Sequence, residues 1–149
     1  MKRSVRFMLC AILACLFSVC GALSLSAAEP LLEWDENAYA EREMIARTLD
    51  LTLGDAPYIT RLALAAVIIN RKNDPAFPSD IASVIFERGE FECVGYDSFK
   101  KHTPSALSLA AARDAMLSFD VTAGALYYKK CAPGDVTSVR VYHGGYAFW

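Results

Sequence analysis

Residues 45–71 read IARTLDLTLGDAPYITRLALAAVIINR, and the break at Gly54-Asp55-Ala56-Pro57 decides how this stretch folds. Between Arg61 and Arg71 stand Leu62, Ala63, Leu64, Ala65, Ala66, Val67, Ile68 and Ile69, with no charge among them. A helix made of these residues is apolar on every face, so it is expected to be buried on all sides. A buried strand gives a similar run, but this one exceeds the usual strand length and its paired alanines suit a helix. The break ahead of it is the place in this region where backbone and charged groups can face a ligand.

Working outward, Asp35-Glu36-Asn37 opens a helix expected to reach about Leu49, with Met44, Ile45, Thr48 and Leu49 facing inward and acids in the first turn. Glu36, Glu41 and Glu43 read as its solvated face. Beyond the central helix, residues 72–78 carry Pro75 and Pro78 and form a loop. Ser79 then caps a short helix over residues 80–86, and residues 87–97 read as loop with a short extended piece. Thr103-Pro104 starts an alanine-rich helix over residues 105–118, with threonine as N-cap and proline at the first helical position. Residues 124–128 are extended in character, 129–134 are a loop around Cys131, and 138–142 alternate like an edge strand. Gly144-Gly145 permits a tight turn into residues 146–149. The residues alone define a small α+β domain.

The chain has 149 residues, 54% of them hydrophobic, enough for a single domain with its own core. Part of that apolar content lies at the N-terminus, where Met1-Lys2-Arg3-Ser4-Val5-Arg6 precedes an apolar run over residues 7–25 and then Ser26-Ala27-Ala28. A basic segment, an apolar segment and small residues at a cleavage site are the pattern of a secretory signal peptide. Residues 1–28 are therefore expected to be cleaved after Ala28, leaving a domain over residues 29–149, secreted or in the cell envelope. Two alternatives are an uncleaved membrane anchor and lipidation at Cys20, though Phe17-Ser18-Val19 offers no small residue directly before that cysteine. Membrane contact is expected only if the segment is retained.

Cleavage removes Lys2, Arg3 and Arg6 from the 15 basic residues and no acid, leaving 12 basic against 17 acidic. A mildly acidic domain without a basic stripe or a recognisable motif gives no reason to expect a nucleic-acid partner. No cofactor is expected, and the domain is expected to be a monomer. Cys93 and Cys131 are the cysteines that remain. In an oxidising compartment they can pair or stay as separate, partly buried thiols, and spacing alone does not choose.

Spacing gives little direct chemistry. His102 and His143 lack the short helical spacing of a zinc pair, so no metal site is expected. Cys93 with His102 has the residue types of a nucleophile and base, but cysteine signatures of this kind do not transfer between families. The chain carries no phosphate loop and no nucleophile elbow.

The order of the pieces carries more. Ile45-Ala46-Arg47, Pro57-Tyr58 and residues 63–71 fall without a gap on a pattern of L-A-R, a hydrophobic pair, E-A-R-G-E-P-Y and a helix of the form A-V-A-A-V-hydrophobic-N-R. Phe77-Pro78, Val84-Ile85-Phe86, Gly89-Glu90-Phe91, Gly124-Ala125-Leu126-Tyr127-Tyr128 and the close Gly144-Gly145-Tyr146-Ala147-Phe148-Trp149 follow in the same order. Over residues 43–149 the chain thus resembles the cell-wall hydrolases of the spore-cortex-lytic SleB/CwlJ type.

The resemblance implies a lysozyme-like α+β fold, mainly helical with a short C-terminal antiparallel sheet. It also implies action on peptidoglycan glycan strands between N-acetylmuramic acid and N-acetylglucosamine, by hydrolysis or lytic transglycosylation. One carboxyl group suffices for the latter: an acid with a raised pKa protonates the glycosidic oxygen while the muramic 6-hydroxyl attacks within the molecule. The family's acid is the first glutamate of E-A-R-G-E, and gapless alignment puts Thr52 there. A one-residue shift puts Leu51 there instead, so neither register supplies a glutamate. Tyr146 likewise replaces the closing histidine, and Glu90 the glutamine. If the domain cuts glycan, Asp55 is expected to substitute, sharing the face of Thr52 on a continuing helix, with Glu90 and Glu92 as candidates from a facing loop. If it does not, it is a non-catalytic peptidoglycan-binding or regulatory relative. The substrate-binding residues implied are Tyr58, Phe91, Tyr127, Tyr128 and Tyr146.

Overall fold

The computed structural model describes residues 35–91, 96–132 and 138–149. The signal peptide expected over residues 1–28, and Glu92 and Cys93, lie outside the described residues.

Helix α1 (Glu36–Leu53) begins where expected, with the Asp35 carboxylate accepting from Ala38 N at 2.8 Å. It runs a turn past Leu49, because Leu53 is buried and nothing in the sequence stops the helix before Gly54. Gly54 stops it with φ 55°, a left-handed conformation that glycine adopts without a Cβ penalty. Thr52 therefore sits in the last helical turn. Asp55 lies past the end, which corrects the expectation that the two share a face of one helix.

Helix α2 (Tyr58–Asn73) is the expected central helix, extended by three residues at its start and two at its end. Pro57 sets its entry, and the Pro57 carbonyl accepts from Thr60 N at 3.0 Å and Arg61 N at 3.2 Å. Every residue from Thr60 to Ile68 is buried, as the all-round apolar pattern requires. Arg61 and Arg71, which bracket the run, are buried as well.

Three further helices follow among the described residues: α3 (Ile81–Ile85), α4 (Tyr96–Lys101) and α5 (Ala106–Met116). Asp80 rather than Ser79 caps α3, its carboxylate accepting from Ser83 N at 2.8 Å. Helix α4 begins inside a stretch that reads as loop. The N-cap of α5 is Ser105, not Thr103. The physical reason is long-range: the Asp50 carboxylate takes the Ser105 N–H at 2.7 Å and so fixes where α5 begins. Ala111, Ala112 and Ala115 on α5 are buried against the core of Ile45, Leu49, Leu64 and Ile68, and their small side chains let α5 pack on both α1 and α2.

The chain closes in a three-stranded antiparallel sheet of order β1-β3-β2, with β1 (Tyr128–Lys130), β2 (Val141–His143) and β3 (Tyr146–Phe148). The extended piece expected over 124–128 becomes β1 four residues later, and the edge strand expected over 138–142 is β2, which does lie at the edge. Pairings Tyr128↔Phe148, Val141↔Phe148 and His143↔Tyr146 put these residues on one face. Tyr146 and Phe148 on that face belong to the core. The mainly helical α+β, lysozyme-like architecture is thus the one observed.

The β2–β3 turn is seated on the start of α2. Gly144 has φ 55°, and a Cβ built on it would overlap the Thr60 hydroxyl oxygen, with Pro57 Cδ at 3.5 Å. Gly144→Ala is therefore expected to destabilise the domain by about 1–3 kcal/mol through overlap and backbone strain. A thermal melt showing an unchanged Tm would contradict this seating.

Candidate functional site

The residues singled out by the sequence gather at the two ends of α2. At its beginning lie Thr52, Asp55 and Tyr58. Around Arg71, near its end, lie Glu90, Phe91, Tyr127 and Tyr128. Pro57 and Arg71 are roughly 20 Å apart along the helix at ~1.5 Å per residue. The sheet runs between the two ends, from Gly144 on Thr60 to Trp149 stacked on Tyr127.

At the first end, Thr52 is half-buried and Asp55 is exposed. Two positions before Thr52, on the opposite side of α1, Asp50 is the centre of a dense polar cluster. Its Oδ1 accepts from Arg61 Nη1 at 2.5 Å, Ser108 Oγ at 2.7 Å and Ser105 Oγ at 2.9 Å. Its Oδ2 accepts from Ser105 N at 2.7 Å and lies 3.0 Å from His102 Nε2. Burial alone would raise the Asp50 pKa, but the hydrogen bonds from Ser105, His102 and Ser108 outweigh it and hold the carboxyl well below the usual carboxylate range. Asp50 is a fixed anion.

Arg61 carries the effect of this anion to the break. Its Nε donates to Ala56 O at 3.0 Å and its Nη2 to Gly54 O. The residues that follow Thr52 are thus held in shape by a buried ion pair rather than by a regular element. Tyr58, the first residue of α2, donates its hydroxyl to Asp114 on α5, and Asp114 is in turn paired with Arg113 at 2.7 Å. The hydrogen bond to Asp114, then burial, raise the Tyr58 pKa. Tyr58 is oriented by this contact. Thr60 Oγ1 and His143 Nε2 are buried on this side without a hydrogen-bond partner among the described residues.

At the other end, the Arg71 side chain is fully buried. Its Nε donates to Leu126 O at 2.6 Å, and its Nη2 lies 2.7 Å from Glu90 Oε2, an ion pair off hydrogen-bond alignment. The guanidinium sits 5.0 Å from the Phe77 ring, 5.9 Å from Phe91 and 5.5 Å from Tyr127. Phe91 is buried and stacked on Tyr128 at 5.6 Å, and Tyr128 donates to Glu90 O at 3.2 Å. Tyr127 is 44% exposed. Tyr146, from the same set of implied binding residues, is buried in the core.

A general acid for glycoside cleavage needs a carboxyl that keeps its proton near neutral pH. Among the described residues, each carboxyl whose pKa is displaced is displaced downward: Asp50, Asp80 and Asp120. Glu90 is committed to an ion pair with the buried Arg71. Among the described residues, no group of three or more histidine, cysteine or acidic side chains is placed to hold a metal ion. Cys131 is a partly buried free thiol.

Sequence reasoning missed Arg61, Arg71, Asp114 and the role of Asp50. A signal was available for the first two, since arginines at both ends of an all-buried run must be buried and therefore paired. For Asp114 no local pattern marks the pairing with Tyr58.

This α+β fold, with two long helices meeting at the break, has counterparts among cell-wall hydrolases. The chain belongs to the cell wall hydrolase family, whose profile matches residues 55–142. It is similar to the catalytic domain of the germination-specific lytic transglycosylase SleB of Bacillus anthracis, with TM-score 0.65 and 30% identity, covering 78% of this chain and 97% of that one. It is also similar to the catalytic domain of the Bacillus cereus SleB protein, with TM-score 0.65 and 30% identity, covering 77% and 91%. The spore cortex-lytic enzyme of Halalkalibacterium halodurans is 42% identical over 72 residues, which are 48% of this chain and 22% of that protein. That of Bacillus subtilis is 42% identical over 72 residues, 48% and 23%. The chain matches only about a quarter of the length of these two relatives.

Proposed function

We propose that this chain is an envelope domain that binds the N-acetylmuramic acid–N-acetylglucosamine strands of peptidoglycan and does not cut them. Family membership supports the substrate. Two things support the rest: the motif alignment assigns Thr52, in the last turn of α1, to the place of the family's acid, and Asp50, on the opposite side of that turn, is locked as an anion by Arg61, Ser105, Ser108 and His102. A threonine hydroxyl does not protonate a glycosidic oxygen as a carboxylic acid does. The signal peptide over residues 1–28 would bring the domain to the envelope.

Exposure of Asp55 at the break favours a second reading, in which this carboxylate takes over as acid. Co-sedimentation of the mature domain with purified sacculi separates the readings when the supernatant is also analysed for released glycan. Binding without release is expected. Release that disappears in Asp55→Asn would establish the second reading, and absence of binding would overturn both.

A further inference from the structure

We propose that Tyr127 and Trp149 form a platform for one N-acetylhexosamine ring of the bound strand, at the far end of α2 from Thr52. The proposal rests on the glycan-binding reading and deepens it by naming a subsite. The two rings stack at 6.1 Å with 23° between their planes, and Phe77 meets Tyr127 edge-on at 6.1 Å. The backbone fixes the pair: Leu126 N and Tyr127 N each donate to Trp149 O at 2.9 Å, and Trp149 N donates to Tyr127 O at 3.1 Å. Rigid aromatic rings lose little freedom on binding, so such a pair is pre-organised for a ligand.

Two further observations point to a ligand. Arg71 lies fully buried beneath Tyr127 with Nη1 lacking a partner among the described residues, a donor without its acceptor. An open hollow of about 270 Å³ adjoins the same chain segments, lined by Asn70, Asn73, Asp74, Pro75, Gly124 and Leu126. Its polar lining is amide and carboxylate, which suits the hydroxyls and acetamide of a neutral sugar. The Asp74 carboxylate disfavours an acidic stem peptide there. Glu90, 33% exposed and paired with Arg71, is placed as a hydrogen-bond acceptor for the sugar.

The test uses the mature domain with sacculi and with a peptide-free N-acetylglucosamine tetramer. Tyr127→Ala and Trp149→Ala are expected to weaken binding of both on the order of tenfold. In a Trp34→Phe background, where Trp149 is the remaining tryptophan, titration with the tetramer is expected to shift its emission. This second readout does not depend on the alanine variants folding. Undiminished binding by both variants with unchanged emission would overturn the platform while leaving glycan binding intact. A wild-type domain that binds neither probe would overturn both.

Discussion

Thr52→Glu is expected to give the domain glycan-cleaving activity about 10²- to 10⁴-fold above the wild type, the range that general acid assistance supplies. The gain follows from position. Thr52 lies in the last turn of a helix that Gly54 ends, beside a break whose shape is set by Arg61 through Gly54 O and Ala56 O. A glutamate placed there inherits a support that is already built. It also inherits a half-buried setting, which raises a carboxyl pKa and keeps the proton available. Release of anhydromuramyl products from sacculi is the readout. Activity gained at Leu51→Glu instead would show that the shifted register is the true one.

Asp50→Ala is expected to destabilise the domain by about 3–5 kcal/mol, because it leaves the Arg61 guanidinium buried without its counter-charge. The side chains of Arg61 and Asp50 are only 6% and 10% exposed, so water compensates little. Ser105, Ser108 and His102 lose an acceptor as well, and α5 loses the contact that fixes its start. A fall in Tm on the order of 10 °C or more is expected. The same carboxyl sets an acid limit. Its pKa is depressed in the folded state, so its stabilisation is fully present above the unfolded value near ~4 and is lost as pH falls below it. Wild-type stability should therefore drop below about pH 4, and Asp50→Ala should show a shallower drop. Equal acid slopes for the two proteins would contradict the role given to Asp50.

Much of this fold was legible in residues 45–71, since an uncharged run apolar on every face has no stable place except the centre. Helix ends were less legible where distant residues decide them. Asp50 selects Ser105 as the cap of α5 from 55 residues away, and no local signal at Thr103-Pro104 reveals that. The site divided in the same way. A linear motif singles out Thr52, whereas the role of Asp50 two residues earlier has no local signal because its partners lie on other elements. Phe91 and Tyr146 read as binding residues from their motifs, but the structure places both in the core, whereas Trp149 joins the exposed Tyr127. Aromatic identity in a sequence does not reveal which face of a strand will meet water.

The central claim is that this member of the family holds glycan without cutting it. Mass spectrometry of the soluble fraction after prolonged incubation of the wild-type domain with purified sacculi addresses it most directly. Neither anhydromuramyl nor new reducing-end fragments are expected above a no-protein control, although the domain sediments with the sacculi. Fragments that accumulate with wild-type protein and vanish with Asp55→Asn or Glu90→Gln would contradict the account and make the domain an enzyme with a relocated acid.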